Sequence, residues 1–227
     1  MLLFIFHLHN VDFAVADWLY RWEGSAWTLK HHLITEAILH DGGRVESQTM
    51  GAIAIAGLII STAWPSLRTW RRPLAYLVLS VLLSTLSIST LKQLVSMDCP
   101  WDLARYGGDL PFIGLFESRP ANLPDTACFP AGHASAGYAW LALYFFFGAM
   151  LPRWRWLGLA IGLAMGVAFG VGQQLRGAHF LSHDIWTLMI CWTISLLLAH
   201  LLLRSPTRAD TRSDSPAVPS PTASNSP

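Results

Sequence analysis

The chain has 227 residues, of which 53% are hydrophobic and only 13% charged, whereas a soluble domain carries about 25% charged residues. A formal net charge of +1 excludes an electrostatic nucleic-acid binder. The length suits a single domain.

The first segment, residues 1–22, starts apolar but is interrupted by Asn10, Asp12 and Asp17. It has neither a basic n-region nor a small-residue cleavage site, so it reads as a partial span or an interfacial helix rather than a signal peptide. Five apolar runs follow, at 49–66, 73–91, 133–151, 154–173 and 184–203. Each is close to the roughly 20 helical residues that cross a hydrocarbon core of about 30 Å. Near-continuous apolar runs cross as helices, because only helices and closed barrels satisfy the backbone in lipid. The expected fold is therefore all-α, a polytopic membrane bundle of five to six transmembrane helices over residues 1–203. Residues 204–227 are rich in Ser, Pro, Thr and Asp without an apolar period, and read as a disordered cytoplasmic tail.

Arginines set the expected orientation. Arg68, Arg71 and Arg72 lie in one short connection, Arg153 and Arg155 in another, and Arg204, Arg208 and Arg212 in the tail. Alternating spans put all three on one side, read as cytoplasmic. Residues 20–48, 92–132 and 174–183 then share the opposite face, where acidic residues concentrate and Trp18, Trp22, Trp27 and Trp101 suit an aromatic belt. In a bacterial inner membrane that face is the periplasm.

Three polar clusters converge on this outer face. "LKQLVSMDCPWDLARYGG" begins with Lys92 near the end of a span, "CFPAGHASAG" places His133 in the first turn of the next, and "RGAHFLSHDIW" joins Arg176 to His179, His183 and Asp184. Singly each has an ordinary explanation. Lys92 would snorkel, His133 would sit at the interface, and Arg176 would bond its own helix end. Together they suit a phosphate. Lysine gives a point charge and arginine a planar fork, while Gly132 opens a helix start to close backbone approach. One neutral imidazole can attack phosphorus and a second, protonated, can give a proton to the departing oxygen. No metal or other cofactor is required. Ser182 is the expected cap of the last helix.

The order Lys-x6-Arg-Pro, Pro-Ser-Gly-His and Ser-Arg-x5-His-x3-Asp resembles the type 2 phosphatidic acid phosphatase/haloperoxidase superfamily, in its integral-membrane lipid-phosphatase branch. The resemblance covers roughly residues 50–200. It implies a six-helix domain that hydrolyses or transfers lipid-borne phosphate through a phosphohistidine. By position, Lys92 resembles the phosphate-binding lysine, His133 in PAGH the general acid and His179 the nucleophile. There are departures. Cys99 stands for the first-motif arginine, Ala131 for the serine and Gln173 for the third-motif arginine. Arg176 and Arg105 are the expected replacements for the lost guanidinium groups. His183 occupies the aspartate position, with Asp184 one place on. In an unbroken helix His183 lies about 40° round from His179 and Asp184 about 140°. A break before Ser182 would instead turn Asp184 back onto His179, and that arrangement is the one expected.

Cys99 and Cys128 share the outer loop and are candidates for a disulfide, which a periplasmic location permits; a zinc site is disfavoured without a CxxC pair. Trp101, Asp102, Tyr106 and Gly107-Gly108 are expected to shape a lid. Two other readings compete: an inactive scaffold of the same fold, and a lipid acyltransferase built on His179-x4-Asp184. The expected partner is a lipid phosphate in the bilayer, such as undecaprenyl pyrophosphate, a lipid A phosphate or a phospholipid monoester. Oligomeric state and the choice of water or lipid as acceptor are left open.

Overall fold

A computed structural model describes the backbone of residues 2–203 and the side chains of 10–203 except residue 40; the tail expected at 204–227 lies outside the described residues. The chain opens with α1 (Leu2–Trp22) and a single 3-10 turn at Thr28–His31. A π-helical stretch, Ile34–Gly42, runs directly into α2 (Gly43–Ala63). Then come α3 (Arg68–Leu94), a long connection, α4 (Gly132–Tyr138), a 3-10 turn at Ala139–Leu141, α5 (Ala142–Met150), α6 (Arg155–Leu175) and α7 (Leu181–Leu202). The fold is an all-α bundle.

Four helical rods are long and apolar enough to cross a membrane: Ile34–Ala63, Pro65–Leu94, Pro152–Leu175 and Leu181–Leu202. A fifth rod, α4 to α5, is tightened into a 3-10 turn midway and lies at the centre of the bundle, with Trp140 and Leu141 almost fully buried. The first rod begins well before residue 49, where the sequence pattern placed it. Asp41, Arg44 and Glu46 break the apolar run but not the helix. Thirty residues extend about 45 Å, enough to cross a core of about 30 Å and leave these charges beyond it.

Side-chain contacts fix an antiparallel register. A Cβ on Gly137 of α4 would strike the Gly166 main chain of α6; one on Gly162 would strike Leu141, and one on Gly158 would strike Leu143. Gly158, Gly162, Gly166 and Gly170 recur every fourth residue, so one stripe of α6 has no side chains and its backbone can meet α4 and α5 directly. Between α3 and α7 the glue is polar. The Tyr76 hydroxyl donates to the Ser195 carbonyl at 3.1 Å, and Ser80, Ser84 and Cys191 are buried along the same seam. In α2 the Ser61 and Thr62 carbonyls accept from Arg71 of α3 at 2.6 and 3.0 Å. Because the rods alternate in direction, Lys92, His133 and His179 fall at one end, and Arg68, Arg71, Arg72, Arg153 and Arg155 at the other.

At the histidine end the connections build a small core of their own. Phe13, Ala16 and Tyr20 of α1 pack with Trp27, Leu103, Tyr106, Phe112 and Phe180. Tyr106 is buried there, so the segment expected as a lid is packed against α1. The 95–131 connection is further pinned by Asp98, which accepts two bonds from Arg119 at 2.8 Å and one from Thr126 at 2.9 Å. Cys99 and Cys128 are joined in a disulfide, Cα–Cα 5.3 Å, that ties the segment after Lys92 to the segment before His133.

Two stability measurements check this packing. Gly166→Leu forces a side chain into the Tyr138 ring and should lower stability by at least about 1–3 kcal/mol, seen as a lower Tm in detergent. Gly51→Ala, which meets nothing within 4 Å, should leave Tm unchanged or slightly raised; equal effects of the two would contradict the glycine contact. Reduction should also lower Tm, by an amount equivalent to about 3.6 kcal/mol for a sequence separation of 29 residues. Alkylation of Cys99 and Cys128 before any reductant is added would show that the bridge does not form.

Candidate active site

His179 sits on the five-residue turn between α6 and α7. Gly177 makes that turn in the left-handed region, φ +70°, where L side chains are disfavoured, and any Cβ there would run into the Trp27 indole. The Gly177 carbonyl accepts from the Trp101 N–H at 2.9 Å, which docks the disulfide loop onto the turn. Phe180 is extended, and α7 starts at Leu181.

The cap of α7 comes from far away in sequence. The Ser182 N–H donates to Asp12 Oδ1 of α1 at 2.7 Å, and Asp12 is buried. Ser182 therefore lies within the first turn, and a carboxylate from the N-terminal helix satisfies one of the orphan amides. Ser182 is not the cap the sequence pattern indicated. The clue to Asp12 was present: an aspartate inside an apolar helix needs a partner or a function.

His183, one helical turn on, faces His179, with the two Nδ1 atoms 3.4 Å apart. Its ring is fully buried, edge-on to Phe129 at 5.3 Å and Phe180 at 5.5 Å. Its carbonyl accepts from the Ala131 N–H at 3.4 Å, and the Thr187 hydroxyl bridges the carbonyls of Ala131 and His183 at 3.2 and 2.9 Å. The PAGH turn is thus stapled to the start of α7. Lys92 reaches the same place from α3: a Cβ on Gly132 would lie 3.3 Å from its Nζ. His133 packs near Phe169, ring centroids 6.3 Å apart.

Burial holds the His179 imidazole well below the usual 6.5; nearby His183, Lys92 and His133 push it the same way, against a hydrogen bond with the Cys128 main chain. The ring is neutral at pH 7. An uncharged imidazole beside a lysine and a second histidine can act as a nucleophile toward an anion that the lysine attracts. An open cleft of about 580 Å³, lined by Ser89, Lys92, Gln93, Ser96, Asp125 and Thr126, leads to Lys92 from the surface.

The remaining expected residues lie elsewhere. Asp184 does not turn back to His179. Its Oδ2 accepts from Gln174 Nε2 at 2.5 Å, and its carboxylate rests on Gly170 of α6. The chain does break before Ser182, but at Phe180; from Leu181 the helix is regular, neighbours diverge by about 100°, and His183 takes the inward position. Arg176 is directed away, donating from Nε to the Lys30 carbonyl at 2.8 Å and pairing with Glu36 at 3.4 Å. Arg105 closes both arms on Asp17 at 2.8 and 2.6 Å and lies over the Phe13 ring. Each arginine meets an acceptor on the N-terminal segments, so neither replaces the missing guanidinium groups at the histidines. Gln173, which stands for one of them, is buried, and its Nε2 has no hydrogen-bond partner among the described residues. One potential metal cluster occurs among the described residues, Asp102 with the Cys99 and Cys128 sulfurs, but disulfide sulfurs are not the thiolates that bind zinc.

No curated protein and no solved structure matches the chain significantly. A family model does. The match begins just inside α3 and takes in Lys92, the PAGH turn and the whole of the α6–α7 hairpin. It leaves α1 and α2 outside. Residues 73–206, more than half of the chain, match the PAP2 superfamily, and this helical membrane protein belongs to that superfamily of phosphatases.

Proposed function

We propose that the protein is a metal-independent phosphatase or phosphotransferase that acts on lipid-linked phosphate through a phosphohistidine on His179. One observation carries the reading: a buried, neutral His179 held 3.4 Å from His183, with Lys92 and His133 close enough to depress its proton affinity. Lys92 attracts the phosphate from the adjoining cleft. His179 attacks phosphorus, and the bond to the leaving oxygen breaks as His133, protonated, supplies its proton. Water or a second lipid then takes the phosphoryl group from His179, with His133 accepting the acceptor's proton. Gln173 Nε2 supplies a neutral donor where a guanidinium is missing.

The site opens at the end of the bundle opposite the paired-helix arginines, which supports an outward-facing, periplasmic site in a bacterial inner membrane. The disulfide at the histidine end supports the same orientation. The acyltransferase reading needs Asp184 against His179, and the Asp184–Gln174 bond disfavours it. An inactive scaffold differs from an enzyme by turnover alone.

Purified protein should release phosphate from at least one of phosphatidate, phosphatidylglycerophosphate and undecaprenyl pyrophosphate, equally with and without EDTA. His179→Ala should abolish turnover and acid-labile phosphoenzyme, and wild-type turnover by that variant would end the assignment. His133→Ala should slow turnover about 10²–10⁴-fold, as loss of a general acid does. The pH profile has a definite sign. The nucleophile is active when unprotonated, so a lowered pKa moves the acid limb of kcat/KM below pH 6.5; an acid limb centred above 6.5 contradicts a buried neutral His179. Asp12→Ala should lower kcat with little change in KM, because it loosens the turn carrying His179 and leaves Lys92 in place. Asp12→Asn, which keeps an acceptor oxygen, should recover most of the loss.

A further inference from the structure

At the arginine end, away from His133, His179 and His183, a groove of about 410 Å³ opens between α5, α6 and α7, with His200 and Arg155 in its lining. Phe145, Leu196 and Leu203 give it apolar walls, and Gly148 lines it where the α5 surface would otherwise carry a side chain. Gly148 differs from the α6 glycines in one respect: a Cβ there would meet nothing within 4 Å. Helix packing does not require this glycine. What its small size provides is the depth of the groove.

Arg155 stands in the lining of the same groove. Its guanidinium lies over the rings of Trp156 and Tyr144, at 5.2 and 6.0 Å. Stacking holds the plane of the guanidinium while leaving its edge N–H groups to bind phosphate oxygens as a fork. No Asp or Glu occurs in residues 139–169 or 185–203, so the three helices that form the groove contain no carboxylate at this end to answer Arg153 and Arg155. A cationic mouth above an apolar trough, within a bundle that crosses lipid, is complementary to one kind of molecule.

We propose that this groove binds an anionic phospholipid of the surrounding leaflet, with its phosphodiester on Arg155 and an acyl chain along Phe145, Gly148 and Leu196. Zwitterionic lipids are disfavoured, because their ammonium group would face Arg153 and Arg155 with no acidic residue on these three helices to receive it. The site is separate from the reaction centre and stands whether or not the protein turns over phosphate.

The test is native mass spectrometry of the full chain released from micelles containing equal phosphatidylglycerol and phosphatidylcholine, with Tm measured alongside. Wild type should retain phosphatidylglycerol in preference and gain Tm from it. Arg155→Gln should weaken retention about tenfold, the worth of a charged hydrogen bond. Gly148→Leu, whose Cβ meets nothing within 4 Å and whose side chain takes up space in the groove, should abolish the preference with an unchanged circular dichroism spectrum. Arg68→Gln, at the same end but outside the groove, should behave as wild type. The proposal is overturned if Gly148→Leu retains phosphatidylglycerol as wild type does, if Arg68→Gln loses it as much as Arg155→Gln, or if wild type shows no preference between the two lipids.

Discussion

Where α6 crosses the α4–α5 rod, main chain meets main chain, because Gly158, Gly162 and Gly166 present no side chain and Gly137 approaches from the other side. Lipid tails are as apolar as leucine, so burial from water cannot drive helices together inside a membrane; close van der Waals contact must. The register of that contact decides where the chemistry sits. His133 lies one turn before Gly137, and the α6 stripe ends at Gly170, against Asp184. Sliding α6 by one turn would separate the PAGH segment from the start of α7 and remove the bonds that join Ala131 to His183 and Thr187.

The electrostatics of the resulting site follow from what is missing from it. Its arginines are drawn off to Asp17, Glu36 and the Lys30 carbonyl, and its nearest carboxylate is held by Gln174. What stays is two imidazoles at contact distance, a lysine and a third histidine. Burial, with His183, Lys92 and His133 nearby, disfavours charging His179, so that imidazole is kept neutral by its surroundings rather than by a carboxylate partner. A histidine is a poorer stabiliser of imidazolium than an aspartate. The orientation of His179 therefore depends more on the Cys128 main chain, the Gly177 turn and the Asp12 cap.

The two ends of the bundle divide the chemistry. The histidine end carries a second, aromatic core of loop residues, pinned by Asp98–Arg119 and a disulfide. The loop half of that core lies within the superfamily match and α1 outside it, yet α1 contributes the Asp12 cap and the packing that hold the turn carrying His179. Among the described residues the other end has only short connections, and it is cationic and grooved. A protein that takes its substrate from one leaflet and a fixed lipid from the other would be anchored in register with the bilayer at both surfaces.

The sequence by itself determined the class of fold, because long apolar runs have only one way to satisfy their backbone in lipid, and it determined which end of the bundle carries Lys92, His133 and His179, because each span reverses direction. The motif order was equally legible, since the spacing of Lys, PAGH and His survives the loss of both arginines. Contact partners were not legible. Whether Asp184 or His183 meets His179 turned on a single residue of helix start, where neighbours diverge by about 100°. Whether Arg176 and Arg105 reach the site turned on Glu36 and Asp17, distant in sequence and adjacent only after packing. The glycine stripe of α6 was visible as letters, but its meaning lay in Gly137, Leu141 and Leu143 on another helix. Local pattern decides which segments enter the membrane; only the tertiary structure decides which polar groups satisfy one another, because a buried donor bonds the acceptor nearest to it in space, whatever its distance along the chain.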